Sequence, residues 1–160
     1  MSSLDGKRIL VVGGSSGMGL ATAQLAAKVG GLVTIASRSA EKLAKAAKSL
    51  GPSVKTAALD VTDDKAVAAF FAGGTVWDHV VCSVGSGGRG PVKEIDLKAA
   101  YEAMEGKFWA AFLVARHAKI AADGTLTFVS GAHSQKLSAG AVLIAAINAA
   151  LENMSRGLAL

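Results

Sequence analysis

A three-layer α/β/α domain built on a doubly wound parallel sheet is the fold class this sequence predicts, and three observations carry it. Short runs of branched apolar residues alternate strictly with helix-patterned stretches along the 160 residues. The runs are apolar almost throughout rather than at every second position, as strands covered on both faces are. The first run collapses into glycine and serine, ILVVGGSSGMG at 9–19, and a helix follows at once.

The elements follow in order. Residues 7–12, KRILVV, and 32–37, LVTIAS, read as strands with a helix over MGLATAQLAAKVG between them, one βαβ unit. The pattern repeats with a helix in SAEKLAKAAKSL, N-capped by Ser39, and a strand VKTAAL at 54–59. The next helix lies in TDDKAVAAFF, with Thr62 as cap and Asp63 and Asp64 in the first turn, where carboxylates favour the helix dipole. HVVCSV at 79–84 makes a fourth strand. The loop GSGGRGP at 85–91 then leads into a long helix from near Asp96 to about Ala121, followed by a fifth strand, TLTFVS at 125–130, and a final helix. Each crossover is expected to be right-handed.

Length and composition fit one domain, 1–160, with a substantial core. Hydrophobic residues make up 51% and charged ones 18%, and the mean hydropathy of +0.42 fits elements covered on more than one side. The longest apolar stretch, 139–151, is too short for a membrane span and is interrupted by Asn148. MSSLDGKR at the start lacks the apolar centre of a signal peptide, so a cytoplasmic protein with no membrane partner is expected.

Cys82 is the single cysteine, which excludes an intrachain disulfide and a thiolate metal cluster and reads as a small core residue. His79, His117 and His133 have no metal-ligand spacing, so no metal is expected. The net charge is +5, but the basic residues are scattered and no basic block interleaves with aromatics, so nucleic acid is not an expected partner. An anionic small molecule fits the same balance.

In an open parallel sheet the ligand crevice lies at the carboxyl ends of the strands, where the first strand-to-helix turn sits. Gly13 permits a sharp exit from the strand, Gly17 lets the backbone approach a pyrophosphate, and Gly19 permits close helix packing. The amides opening the helix around Met18 carry a partial positive charge, and Ser15 and Ser16 add hydroxyls. The second strand ends in ASRS, so Arg38 and Ser39 occupy the place of the acid that would hold a ribose 2′-hydroxyl. A guanidinium there favours a 2′-phosphate; the other reading is an ordinary surface arginine. Asp60 either accepts from an adenine amine or is a turn aspartate.

VGGSSGMG resembles the TGxxxGxG turn of the short-chain dehydrogenase/reductase family, with Val12 in place of threonine. SR at 37–38, LDV at 59–61, GTLTFVSG and the ending AALENMSRGLAL are similar to the same family, and the likeness runs over the whole chain. The resemblance implies a Rossmann-type doubly wound parallel sheet binding NADP(H), preferred over NAD(H). The turn residues, Arg38, Ser39, Asp60, Val61, Ser83, Val84 and Gly85 would contact the cofactor. It also implies hydride transfer with a small carbonyl or alcohol.

The family's proton chemistry uses a tyrosine, a lysine four residues later, a serine and an asparagine. Those positions fall on Ile144, Asn148, Gly131 and Lys107, so none of the four groups is kept, although Ser130 stands one residue before the serine position. The NNAG that follows the fourth strand in the family is CSVG here. The residues left as catalytic candidates are Lys107, Ser130 and His133, the last beside Ser134. Lys107 either polarises a carbonyl or snorkels to solvent, and His133 either carries a proton or is an exposed loop residue. Two functions stay open: an atypical NADP(H)-dependent oxidoreductase, and a sensor or scaffold that binds NADP(H) without turnover.

The last helix has an apolar stripe of Ile144, Ile147, Leu151, Met154 and Leu158, with Leu143, Ala146 and Ala150 on another side. The long helix before it combines Met104, Phe108, Ala111 and Ala115 with Trp109 and Leu113 off that stripe. One face of each can pack on the sheet and the other either on a second subunit or under missing C-terminal sequence; the family resemblance implies a homodimer or homotetramer through these two helices. The chain stops at RGLAL with no glycine C-cap, where the family continues with further strands, so a chain truncated at its C-terminus is expected.

Overall fold

A computed structural model describes residues 4–85 and 87–160; the first three residues of MSSLDGKR, and Ser86 in the glycine-rich loop, lie outside the described residues. Five parallel strands, β1 (Arg8–Val12), β2 (Leu32–Ser37), β3 (Lys55–Ala58), β4 (Trp77–Cys82) and β5 (Ile120–Phe128), lie in the order β3-β2-β1-β4-β5. The chain winds outward from β1 through β2 to β3, then crosses back to β4 and β5. The doubly wound parallel fold is therefore as expected.

Alternation along β1 explains why its run is apolar throughout. Ile9 and Val11 pack with Val33 and Ile35 under α1 (Gly17–Lys28) and α2 (Ala40–Leu50), through Ala23, Ala26, Leu43 and Ala46. Leu10 and Val12 face the other layer, where Val67 and Phe71 of α3 (Asp64–Ala72) meet Val80 and Cys82. That layer is completed by Ala110 and Val114 of α5 (Ala110–His117) and Leu151 of α6 (Val142–Gly157). Burying a side chain such as Phe71 or Leu10 is worth about 1.5–3 kcal/mol. Cys82 is buried, as expected, and its thiol is pushed up to about 12 by burial.

Three expected boundaries are corrected. Asp63, not Thr62, caps α3: its carboxylate accepts from the Lys65 and Ala66 amides, while the Thr62 hydroxyl donates to Asp60. The long helix is α4 (Leu97–Met104), a π-helical turn at Glu105–Trp109 and α5, and it ends at His117 rather than near Ala121. Residues 120–124 join β5 instead, because the Trp77 amide donates to the Lys119 carbonyl and Ile120 pairs with Trp77 across a register shift. The fifth strand thus starts earlier than 125 and closes at Phe128.

On α6 the stripe Ile144, Ile147 and Leu151 is buried and Met154 half-buried, but Leu158 lies outside it, 56% exposed. Trp109, Phe112 and Tyr101 are exposed on the preceding helices. Among the described residues, no helix is long and apolar enough to cross a membrane, and no group of His, Cys, Asp and Glu could hold a metal ion.

Candidate functional site

The strand order reverses between β1 and β4, and a crevice opens at the carboxyl ends of the strands there. A cleft of about 180 Å³ occupies it. Gly13, Ser16, Gly17 and Met18 form one wall, and Ser83, Val84 and Gly85 another; Lys107, Val129 and Ser130 complete it.

The first wall follows from its glycines. Gly13 has φ +82°, and a Cβ there would stand 2.2 Å from the Ser83 carbonyl oxygen, so only glycine lets the end of β1 lie against β4. Gly17 has φ +53°, and its missing Cβ would meet no protein atom within 4 Å, so the space over it belongs to the cleft. A Cβ on Gly19 would stand 2.3 Å from the Gly13 carbonyl oxygen, which fixes α1 tightly on the turn.

α1 opens without a side-chain cap. Ser16 is its N-cap yet makes no side-chain capping bond, and no acid lies in the first turn. The positive helix end therefore faces the cleft uncompensated.

The residues expected on the adenosine side lie along the ends of β2 and β3. The Ser15 hydroxyl donates to Ser37 Oγ at 3.0 Å, tying the turn to the end of β2, and Arg38 follows, exposed. Ser39 accepts from the Lys42 amide and so caps α2. Asp60 Oδ1 accepts from the Thr62 amide and hydroxyl at 3.0 and 2.7 Å, an Asx-type turn. Burial acts to raise the Asp60 carboxyl, but the two Thr62 bonds and the Arg38 charge outweigh it and hold it below its ordinary value. Val61 is turned into the core.

Lys107 and Asn148, 8% and 1% exposed, are the two buried polar side chains among the described residues, and both converge on one short segment. Lys107 sits in the π turn and donates to the Ser130 carbonyl at 3.4 Å. Asn148 Nδ2 donates to the Gly131 carbonyl at 3.3 Å, and its Oδ1 is buried with no partner among the described residues. Two glycines make this room: a Cβ on Gly85 would stand 2.4 Å from Lys107 Cβ, and one on Gly131 would stand 2.8 Å from Asn148 Nδ2. Burial pushes the Lys107 ammonium below the ordinary lysine value, and among the described residues no ion pair offsets it. Ile144 is buried on the same helix as Asn148.

The Ser130 hydroxyl donates to Glu152 Oε1 on α6 at 2.6 Å, and Ser134 Oγ donates to the same oxygen at 2.5 Å. These bonds, with Gln135 on Oε2 at 3.3 Å, hold Glu152 below the usual carboxylate value. Ser130 thus gives its carbonyl to Lys107 and its hydroxyl to α6. His133 is outside the cleft lining, its Nδ1 facing the Lys136 carbonyl at 3.2 Å. Sequence reasoning missed Glu152, whose one signal is its place four residues after Asn148, on the same helical face.

The family described as short chain dehydrogenase matches residues 7–160. A short-chain dehydrogenase/reductase of Stachybotrys chlorohalonatus is 32% identical over 100% of this chain and 70% of its own length. Gluconate 5-dehydrogenase of Gluconobacter oxydans is 31% identical over 98% of this chain and 66% of its own length, so the chain spans about two thirds of these relatives. Among solved structures, a citronellol catabolism dehydrogenase of Pseudomonas aeruginosa superposes with a TM-score of 0.85 at 27% identity, over 97% of this chain and 68% of the other.

Proposed function

The chain belongs to the short-chain dehydrogenase family, and from that premise and the cleft we propose that it binds NADP(H) over the Gly13–Gly19 turn and acts as an oxidoreductase on a small carbonyl or alcohol. The observation that carries the reading is the bare, uncapped start of α1: open space over Gly17, no acidic side chain, and a Ser16 hydroxyl free of any cap bond. Backbone amides so arranged suit a diphosphate. A bound nicotinamide would supply the hydride.

The chain's own residues set the geometry. Gly13 against Ser83 brings β1 and β4 close enough for one ligand to touch both strand ends. Arg38, beyond Ser37, supports a 2′-phosphate and hence NADP(H) over NAD(H). Lys107 and Ser130 line the cleft where the reacting end of the cofactor would lie.

A second reading, a protein that binds NADP(H) without turnover, is favoured by one observation. Ile144 and Asn148 stand where the resemblance places a tyrosine and a lysine, and both are buried in packing. Calorimetric titration with NADPH and NADH, repeated on Arg38→Asp, tests the cofactor assignment: wild type is expected to prefer NADPH and the variant to lose that preference. Equal preference in both proteins overturns the role of Arg38. Oxidation of NADPH by a panel of aldehydes and ketones at about 1 per second or more supports the oxidoreductase; tight binding with no turnover supports the second reading.

A further inference from the structure

We propose that Lys107 is the proton donor of this site, passing a proton from its ammonium to the oxygen of an uncharged or anionic carbonyl substrate as hydride reaches the carbonyl carbon. The inference rests on the oxidoreductase reading above. Hydride adds to carbon, the C=O π pair moves to oxygen, and that oxygen takes the proton. The products are the alcohol, oxidised cofactor and a neutral lysine amine, which regains its proton from solvent.

The donors and acceptors around the cleft leave few alternatives. The ammonium has three N–H bonds and, among the described residues, one acceptor, the Ser130 carbonyl at a long 3.4 Å, which leaves two donors uncommitted there. Gly85 and Gly131 remove the side chains that would fill this corner, so the space is built for the lysine and for Asn148. Asn148 Oδ1, without a partner among the described residues, adds an acceptor beside the same Ser130–Gly131 segment.

The other catalytic candidates, Ser130 and His133, and the single tyrosine, Tyr101, are engaged or lie outside the cleft lining. The Ser130 hydroxyl is bound to Glu152, and His133 faces Lys136. Tyr101 is 74% exposed and does not line the cleft.

The titratable and charged groups on the elements packed against the π turn are Lys98, Tyr101 and Glu102 on α4, Arg116 and His117 on α5, and Glu152 and Arg156 on α6, with Glu105 in the turn itself, Cys82 at the end of β4 and His133 in the turn after β5. None forms an ion pair with Lys107. Burial without a counterion among the described residues lowers the affinity of the amine for its proton, which makes it a readier donor than an ordinary lysine. Donation needs the charged form, so turnover is expected to be full at low pH and to fall as pH rises through that lowered value. A cationic substrate would be repelled.

The test uses the whole chain, with Lys107→Met and Lys107→Gln as parallel variants and circular dichroism as the check on folding. Nitrogen-15 NMR of the lysine side chains, assigned by the signal missing in Lys107→Met, should show one ammonium titrating below the ordinary value of about 10.4. Turnover of NADPH with the carbonyl panel should fall by about 100-fold or more in both variants, with NADPH Kd changed by less than about threefold. Wild-type turnover in which both variants keep kcat within about threefold, or an ordinary titration of Lys107, overturns the donor assignment alone. A wild type that does not bind NADPH overturns the cofactor reading, and one that binds without turnover overturns the oxidoreductase reading; either removes the donor role with it.

Discussion

Gly17→Ala separates a phosphate seat from an ordinary tight turn, because its effects on folding and on binding differ in size. The added methyl meets no protein atom within 4 Å, so no packing is disturbed. The backbone at φ +53° is left-handed, and alanine there is strained by roughly 1–2 kcal/mol. For a chain of this size each kcal/mol moves Tm by about 2–4 °C, so the variant should melt only a few degrees below wild type. Binding should suffer far more. A phosphate resting on these amides makes charge-assisted hydrogen bonds worth about 1.5–3 kcal/mol each, and a methyl in its way lengthens or breaks at least one. NADPH affinity should therefore drop by about 10- to 100-fold in calorimetry, with most of the stability kept. Gly13→Ala is the contrast: its Cβ would lie 2.2 Å from the Ser83 carbonyl oxygen, so Tm and affinity should fall together. If Gly17→Ala retains NADPH affinity within about threefold, the start of α1 is not where the diphosphate sits.

Two stability predictions follow from single contacts. Asp63→Ala removes the carboxylate that caps α3 and should cost about 1 kcal/mol in urea unfolding, whereas Thr62→Ala should cost less, reversing the order expected from sequence. Asp78 is held below its ordinary value first by the Arg8 amide, at 2.8 Å; burial opposes this, and the Lys7 hydrogen bond and the Lys7 and Arg8 charges add to the lowering. A carboxylate lowered in the folded state adds stability above its unfolded pKa of about 3.9 and loses it as pH falls through the folded value. Wild type should thus lose more stability on acidification below about pH 4 than Asp78→Asn does, and equal acid limbs would show that the contact is without effect.

The sheet was legible because its signals are local and redundant. In β1 every residue from Ile9 to Val12 is buried, so the run is apolar whichever face it serves, and the glycines that end it can be read one by one. What stayed hidden depends on contacts distant in sequence. EGKFWAAF reads as helix whether its turns are α or π, since so short a stretch carries no residue pattern that separates i→i+4 from i→i+5 bonding. KIAADG carries helix-favouring alanines, yet pairing with Trp77 draws it into β5. At 62–63 two good capping residues stand side by side, and only the bond from Thr62 to Asp60 decides between them. A lone lysine on an amphipathic helix reads as snorkelling; that Lys107 is buried is set by the missing Cβ of Gly85, which belongs to a different element.

The buried lysine also bears on whether this domain does chemistry or only holds a dinucleotide. A largely buried lysine with, among the described residues, one long hydrogen bond and no counterion lowers stability, and a methionine of similar length fills the same volume without that cost. Packing alone would therefore favour Lys107→Met. A protein whose single task is to grip a dinucleotide through the amides of α1 would need no such charge in the π turn, at the cleft lining beside Ser130. The two readings thus disagree on a quantity that needs no substrate. If the lysine serves catalysis, Lys107→Met should be at least as stable as wild type in urea while losing turnover, the trade expected of a strained functional group. If instead its removal unfolds the domain, the ammonium is a structural tie between the π turn and the Ser130 carbonyl, and binding without turnover becomes the stronger reading.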